Sequence, residues 1–362
     1  VAVTAILRLG ATVVEHNPLY TAAELEPQFN DHGARVAIVL DRVGETFTSI
    51  STCTPLETVV AVNMLEEVPL RLRAALALPL PQVKKMRAEL SRPAPSTLPW
   101  RDFIRQRPRT VHFPRVTQDT PAFILYTSGT SGRPKGAPLT HGNIVAVLTA
   151  GLQWLENWGA VREKVLGLLP MFHIYGLALN YAMPLTIGAQ MVLVPAPKPK
   201  LYQAAITKTR PTVLPGVPTL YDAIIEWALK TKADLSSIHT SISGASTLPA
   251  ETIERWETAT GGRLIEGYGL TETSPILAGN PLDGTRRPGY IGLPFPNTEI
   301  RIADPDNPAR TMPDGEPGEL LARGPQVFSG YLGNPEANER AFHDGWFRTG
   351  DMAVMEADGW IR

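Results

Sequence analysis

The sequence is nearly free of cysteine: among 362 residues there is one, Cys53. An internal disulfide is excluded, and so is a metal cluster built from several thiolates; a reducing, cytosolic compartment fits this usage. No sign of charge prevails, since 34 Lys and Arg stand against 35 Asp and Glu. That balance supplies no global attraction to nucleic acid or to an anionic membrane surface. A long uninterrupted apolar run is also missing. The stretch between Lys164 and Lys198 holds no Asp, Glu, Lys or Arg, but Pro170, His173, Asn180, Pro184 and Gln190 break it. A spanning helix needs about 20 consecutive, mostly apolar residues, so this stretch reads as buried strand, helix and strand. No basic segment leading into an apolar core and a small-residue cleavage site opens the chain, so no secretory signal is visible. Val1 is not a start residue, Val3 to Leu9 already reads as buried structure, and Asp358 to Arg362 reads as a turn entering a strand. We expect a fragment at both ends.

What is present is ample apolar material, 43% of the chain, enough for more than one subdomain. Residues 1–120 open with a short α/β pattern. Ala22 to His32 has helical spacing and Val36 to Leu40 is a β-branched run. Leu65 to Leu90 reads as surface helices, broken by Pro79 and Pro81, before a proline-rich connector to Pro99. Its basic cluster, Arg71, Arg73, Lys84, Lys85 and Arg87, reads as a solvated helix face, with contact to a membrane surface as the alternative. Residues 121–288 alternate strand and helix signals, which predicts a doubly wound, mostly parallel α/β sheet. Loops leaving the carboxyl ends of such strands share one edge, where ligands bind. The loops at Thr127, His173, Gly216, Gly244 and Gly267 all leave strands in that sense, so one converging site is expected. Residues 289–362 carry short β runs between Pro, Asn, Asp and Gly turns, an antiparallel, barrel-like subdomain.

The strongest local signal is Tyr126-Thr127-Ser128-Gly129-Thr130-Ser131-Gly132-Arg133-Pro134-Lys135-Gly136. Glycines let backbone N–H groups turn inward toward an anion, the hydroxyls add donors, and Lys135 adds a mobile positive charge. Pro134 before Lys135 excludes a Walker A loop. Such a loop taken alone is as often a flexible connection; its place between strand and helix argues for phosphate binding. Glu266-Gly267-Tyr268-Gly269-Leu270-Thr271-Glu272-Thr273 fails the dinucleotide fingerprint, because Glu272 occupies the third glycine position. It offers an aromatic face at Tyr268, a hydroxyl at Thr271 and a carboxylate at Glu272, suited to a base, a phosphate oxygen and magnesium; a strand-end turn with a core tyrosine is the plain alternative. Arg348-Thr349-Gly350-Asp351 reads as a tight turn whose carboxylate could accept two ribose hydroxyls, although an isolated Gly-Asp is ordinarily only a turn. A lone histidine such as His173 is more often a packed residue. Gly244-Ala245-Ser246 and Gly216-Val217-Pro218 allow close backbone approach and nothing more specific.

In this order, the Thr-Ser-Gly-Thr-Ser-Gly-Arg-Pro-Lys-Gly loop, the Tyr-Gly-Leu-Thr-Glu-Thr run and the Thr-Gly-Asp near the end resemble the adenylate-forming superfamily of acyl-CoA synthetases, luciferases and peptide-synthetase adenylation domains. The likeness spans essentially the whole chain. Pro170-Met171-Phe172-His173 and the insert from Val59 to Trp100 look most like a bacterial long-chain fatty-acid–CoA ligase. The resemblance implies that Thr127, Ser128, Gly129, Thr130, Ser131, Gly132 and Lys135 hold the ATP phosphates. It implies that Gly244, Ala245 and Ser246 line the adenine, with Tyr268 stacking on it between Gly267 and Gly269. Thr271 would contact the α-phosphate, Glu272 the Mg²⁺ and Asp351 the ribose. His173 would border the carboxylate and gate the acyl tunnel, with Gly216 and Gly267 on its walls. The family's C-terminal cap, with its catalytic lysine, is absent from the sequence, so this fragment is expected to bind ATP but to adenylate poorly.

The implied reaction takes a fatty acid, ATP and CoA through acyl-AMP to a thioester. The alternatives are a related ligase for aryl or medium-chain acids, one that loads a carrier protein, and a non-catalytic nucleotide- or lipid-binding relative. The intact Lys135, Thr271, Glu272 and Asp351 argue against the last.

Overall fold

The computed structural model describes residues 1–106, 113–127, 134–155 and 162–362. Two compact units emerge. The first comprises Val1–Val116 with Tyr126–Gly136, the second Thr117–Leu125 with Ala137–Arg362.

In the first unit, helix Ala2–Arg8 precedes strand β1 (Val13–Glu15). The helix buries none of its residues, which corrects the reading of Val3 to Leu9 as buried structure. Apolar composition marks a segment that can be covered, but burial needs a covering surface. Helix Ala22–His32 forms as its spacing predicts. Glu24 Oε2 reaches back to accept the Thr21 N–H at 2.7 Å, and Gly33, at φ 68°, ends the helix in the left-handed region where a side chain is disfavoured. Strands β2 (Val36–Leu40), β3 (Thr58–Val62) and β4 (Leu98–Pro99) pair in parallel in that order. The β3 strand lies where the sequence reading placed the start of the helical insert. Leu25, Phe29, Phe47, Ile50 and Val59 make this unit's core. Helices Met64–Glu67, Leu70–Leu76 and Pro81–Leu90 stay at the surface as expected, and Leu76 alone among their residues is buried.

Strands β5 (Pro121–Thr127) and β6 (Lys135–Thr140) flank the predicted phosphate loop, and the boundary between the units crosses both. The β6 strand is an addition to the sequence reading, which took the loop directly into a helix. Helix His141–Trp154 is capped reciprocally: Thr140 Oγ1 accepts the Asn143 N–H at 3.1 Å, and Asn143 Oδ1 accepts the Thr140 N–H at 2.9 Å.

The second unit is organised around strands β7 (Lys164–Gly167), β8 (Gln190–Leu193), β9 (Val213–Gly216), β10 (Thr240–Ser243), β11 (Arg263–Tyr268), β12 (Ala278–Gly279) and β13 (Leu293–Pro294). Their spatial order is β13-β12-β11-β10-β9-β7-β8. From β8 to β11 every pairing is parallel; β12 and β13 close the edge antiparallel. Helices Pro199–Thr209, Pro218–Thr231 and Ala250–Thr260 connect the parallel strands, and a proline in the first turn starts the first two. Trp256, Tyr221, Leu166, Leu214, Ile224 and Leu264 are fully buried between helices and sheet. Each such aliphatic side chain stabilises the fold by roughly 1.5–3 kcal/mol relative to exposure. The uncharged stretch after Lys164 is strand β7, a helical run from Ile174 to Ile187, and strand β8. Among the described residues no helix is long and apolar enough to cross a membrane. The C-terminal strands β14 (Glu299–Ala303), β15 (Pro317–Arg323), β16 (Phe342–His343) and β17 (Trp346–Val354) form an antiparallel sheet ordered β14-β15-β17-β16. The mixed α/β architecture with an antiparallel C-terminal section is the one the sequence predicts.

Candidate functional site

The carboxyl ends of β7, β9, β10 and β11 lie along one edge of the second unit's sheet. Parallel pairing brings Gly216, Gly244 and Gly267 side by side there. The Gly244 N–H donates to the Gly216 carbonyl at 3.4 Å, and a Cβ on Gly244 would meet the Tyr175 ring at 3.3 Å and the Gly267 carbonyl at 3.4 Å. The next residue, Ala245, adopts φ 67°, a left-handed conformation that is strained for a residue with a Cβ. Such strain persists only where its surroundings impose it, and it concentrates at ligand sites.

Two tyrosines lock this edge. The Tyr175 hydroxyl donates to the Gly216 carbonyl at 3.1 Å and to the Ile242 carbonyl at 2.6 Å. Tyr221 donates to the Leu214 and Ile242 carbonyls at 2.9 and 2.7 Å, and its ring packs edge-on to Trp256, with centroids 4.8 Å apart. Trp256 in turn donates to Ser241 Oγ at 3.0 Å. Burial pushes both phenols up, so neither ionises in the ordinary range. His173 caps the entrance to the helix carrying Tyr175. Its surface is exposed, yet enough protein atoms surround the ring to lower its pKa.

Beyond β11 the chain turns sharply. Gly269 lies against the Pro275 carbonyl with no room for a Cβ. The short 3₁₀ turn Thr271–Thr273 follows, fastened by the Leu270 N–H donating to Thr273 Oγ1 at 2.9 Å. Thr271 stays half-buried, while Glu272 is 6% exposed. Glu272 Oε1 accepts the Tyr331 hydroxyl at 2.7 Å, and its backbone carbonyl accepts the Phe328 N–H at 2.8 Å. Burial, reinforced by the Glu272 charge, raises the Tyr331 phenol. Among the described residues no group of three or more His, Cys, Asp and Glu could enclose a metal. The oriented Glu272 carboxylate fits the single-ligand mode, in which magnesium is shared with substrate phosphates and water.

Asp351 sits inside β17 rather than after a simple turn, which corrects the sequence reading. The β15–β17 register slips between Glu319 and Leu321, Gly350 takes φ 79°, and residues 349–351 bulge from the ladder. Thr349 Oγ1 donates to the Leu320 carbonyl at 2.7 Å and the Gly350 N–H to Glu319 at 3.2 Å, fixing the bulge. Exposed Asp351 accepts the Tyr268 hydroxyl at 2.6 Å. Burial and then this carboxylate raise the Tyr268 phenol. The structure thus joins two residues that the sequence reading had treated in separate motifs.

Glu266, assigned no role from sequence, is nine-tenths buried beside the loop that follows Ser246. It accepts the Leu248 N–H at 3.3 Å, and burial raises its pKa to about 7. Tyr175 and Tyr331 were missed as well. Tyr175 is two residues from His173 and could have been found by proximity; Tyr331 is 59 residues from Glu272 and left no local signal. Of the predicted phosphate loop, Thr127 ends β5 and half-buried Lys135 begins β6, both in the first unit. Ser128, Gly129, Thr130, Ser131 and Gly132 lie outside the described residues.

Comparison with known proteins adds an independent result. The AMP-binding enzyme family matches residues 1–332. Long-chain-fatty-acid–CoA ligase of Bacillus subtilis is 34% identical over 98% of the chain, and that of Salmonella typhimurium 35% over 100%. The chain spans 63% and 64% of the length of these two relatives. The mouse mitochondrial malonate–CoA ligase ACSF3 is 37% identical over 68% of the chain and 47% of its own length. Among solved structures, the anthranilate CoA ligase AuaEII in complex with anthranoyl-AMP superposes with a TM-score of 0.81 at 28% identity, covering 99% of this chain and 63% of that one. ATP-bound MatB from Rhodopseudomonas palustris gives 0.78 at 26% identity, covering 99% and 64%.

Proposed function

Because the chain belongs to the AMP-binding enzyme family, we propose that it activates a carboxylic acid with ATP and passes the acyl group to CoA. The observation that carries this reading is the edge of the second unit's sheet. There, buried Glu272 is held by Tyr331 and exposed Asp351 by Tyr268, around a backbone that glycines keep open. Thr127, Lys135 and the sequence-assigned Ser128 to Gly132 would bind the ATP phosphates. Gly244, Ala245 and Ser246 would line the adenine, Tyr268 would stack on it, and Asp351 would hold the ribose. Thr271 would donate to the α-phosphate.

In the first step a carboxylate oxygen of the acid attacks the α-phosphorus. The bond to pyrophosphate breaks and acyl-AMP forms. Negative charge grows on the α-phosphate and on the departing pyrophosphate, and Lys135 and Thr271 are placed in this reading to stabilise it. Such catalysis is positioning plus electrostatics. Glu272 would hold Mg²⁺, which supplies further neutralisation of phosphate charge when bound. In the second step the CoA sulfur, having lost its proton, attacks the acyl carbon and AMP departs. His173 and the walls at Gly216 and Gly267 would receive the acid.

A long-chain fatty acid is the preferred substrate in this proposal, supported by the names of the bacterial relatives. A short or aromatic acid is the second reading, supported by the likeness to the malonate and anthranilate ligases. Acid-dependent ATP–pyrophosphate exchange across a series from malonate and anthranilate to palmitate decides between them. In the full-length protein, strongest exchange with palmitate supports the first reading, and exchange with none of these acids overturns the function.

The proposal includes a cytosolic protein that touches membranes peripherally. Exposed Leu70, Leu72, Leu78, Leu80 and Met86 lie among Arg71, Arg73, Lys84, Lys85 and Arg87 on helices Leu70–Leu76 and Pro81–Leu90 and on the turn that joins them. That mixture suits an interface of acyl chains and anionic headgroups. Failure of the protein to co-sediment with anionic vesicles would remove this part alone.

A further inference from the structure

Tyr126 immediately precedes Thr127, at the mouth of the predicted phosphate loop, and it is held by more than packing. Its hydroxyl donates to Asp31 Oδ2 at 2.7 Å and lies 3.2 Å from the Gln28 carbonyl. Its ring stacks on His16, with centroids 6.0 Å apart and planes 19° apart, and meets His32 edge-on at 6.0 Å. The two imidazoles touch through Nε2 atoms 3.2 Å apart. All these residues belong to the first unit.

Hydrogen bonding assigns each ring nitrogen a role. Gln28 Nε2 donates to the Glu24 carbonyl at 3.0 Å, which turns its Oε1 toward His16 Nδ1 at 3.0 Å. His16 therefore carries its proton on Nδ1. His32 Nδ1 accepts the Ala34 N–H at 3.0 Å, so the His32 proton sits on Nε2. His32 Nε2–H then donates to His16 Nε2, and each of the four ring nitrogens has a partner while both rings are neutral. A second proton on either ring would set two donors face to face or strip Ala34 of its acceptor. Burial lowers both imidazoles to about 4, His16 further through the neighbouring His32. Phe29 already supplies an apolar partner, stacked on His16 at 5.2 Å, so packing alone does not call for two histidines.

We propose that the neutral His16–His32 pair is a positioning device that fixes Tyr126 and, through it, the course of the chain at Thr127 where the terminal phosphates of ATP bind. The inference rests on the adenylating function proposed above. Asp31 supplies the second anchor, so ring and hydroxyl are constrained independently.

The test combines imidazole ¹⁵N spectra with calorimetric titration of the protein at pH 7.5. The spectra are expected to show His16 protonated on Nδ1 and His32 on Nε2; the opposite tautomers, or rapid averaging between them, overturn the network. Tyr126→Phe is expected to raise the dissociation constant for MgATP by about threefold to tenfold, the usual effect of one lost hydrogen bond. Its affinity for AMP, which lacks the terminal phosphates, should not change. His32→Asn keeps an acceptor for Ala34 but loses the bond to His16, and should shift ATP binding in the same direction by less. Equal losses for ATP and AMP, or unchanged ATP binding in both variants, overturn the positioning role. If one variant does not fold, the other and the wild-type spectra still decide. A wild-type protein that binds no ATP overturns the adenylating reading and this inference with it, whereas ATP-binding wild type with unaffected variants overturns the inference alone.

Discussion

The two parallel sheets obey the same topological rule and arm their edges differently. In the second unit the carboxyl edge carries small residues, a strained Ala245, and carboxylates each held by a tyrosine hydroxyl. In the first unit the residues that follow β2, β3 and β4 are Asp41, Asn63 and Trp100, and they line a cavity of about 470 Å³. That cavity mixes Lys84, Arg87 and Arg92 with Glu66 and Glu67. Ser91 donates to one oxygen of buried Asp41, while the other has no partner. Topology decides where a ligand can sit; the side chains decide whether anything there is preorganised for chemistry. On the second edge tyrosine hydroxyls hold the carboxylates, whereas on the first Arg101 pairs with Glu66 and one oxygen of buried Asp41 has no partner.

The sharpest way to break this contrast is to remove one carboxylate charge from each edge. Glu272→Gln is expected to lower ATP–pyrophosphate exchange by the full-length protein about 10²-fold or more, the scale for losing one preorganised electrostatic contact. Glu66→Gln should leave exchange within twofold, the outcome expected for a half-buried group paired with Arg101 and outside the chemistry. Equal losses would mean that both edges serve the reaction.

Stability should divide in the same way. Trp256→Ala removes a fully buried ring from behind β10 and should cost about 3–5 kcal/mol in urea unfolding. Leu72→Ala, on the exposed helix Leu70–Leu76, should stay within about 0.5 kcal/mol.

A smaller effect concerns the tyrosine–carboxylate pair at the bulge. Tyr268→Phe should weaken AMP binding by roughly fivefold, the equivalent of one hydrogen bond that orients Asp351; calorimetric titration with AMP measures it. The smallest is a matter of pH. Glu266 has a folded pKa raised to about 7, against an ordinary value of 4.5. The folded state therefore holds a proton that the unfolded state has released between those values. This contribution is complete below about pH 4.5 and is lost as pH rises through about 7. Glu266→Gln should flatten the decline of the thermal midpoint across that window; an unchanged slope would place the proton elsewhere.

Much of the fold was legible because local rules and global structure agree. Ala22 to His32 carried its own period, and the strand–helix alternation over residues 121–288 predicted the parallel sheet. The β6 strand was not legible: Lys135 to Thr140 follows a loop and precedes a helix cap, so only pairing with neighbouring strands identifies it. Val3 to Leu9 failed for a related reason, since burial is a property of two surfaces and a segment displays one. At the candidate site the motifs marked Tyr268, Thr271, Glu272 and Asp351, because the chemistry demands those residue types. They did not mark Tyr331, whose use depends on a contact 59 residues away, nor Glu266, whose raised pKa comes from burial.

Side-chain chemistry and hydrophobic period are written locally, so the parallel strands, and the residue types suited to phosphate, base, ribose and metal, could be read from the chain alone. Packing between distant segments set the rest: Asp351 rides a bulge against Tyr268, Tyr331 orients Glu272, and His16 and His32 meet through their Nε2 atoms beside Tyr126. Those arrangements depend on register, burial and hydrogen bonds between segments distant in the chain, and a linear sequence contains no distances.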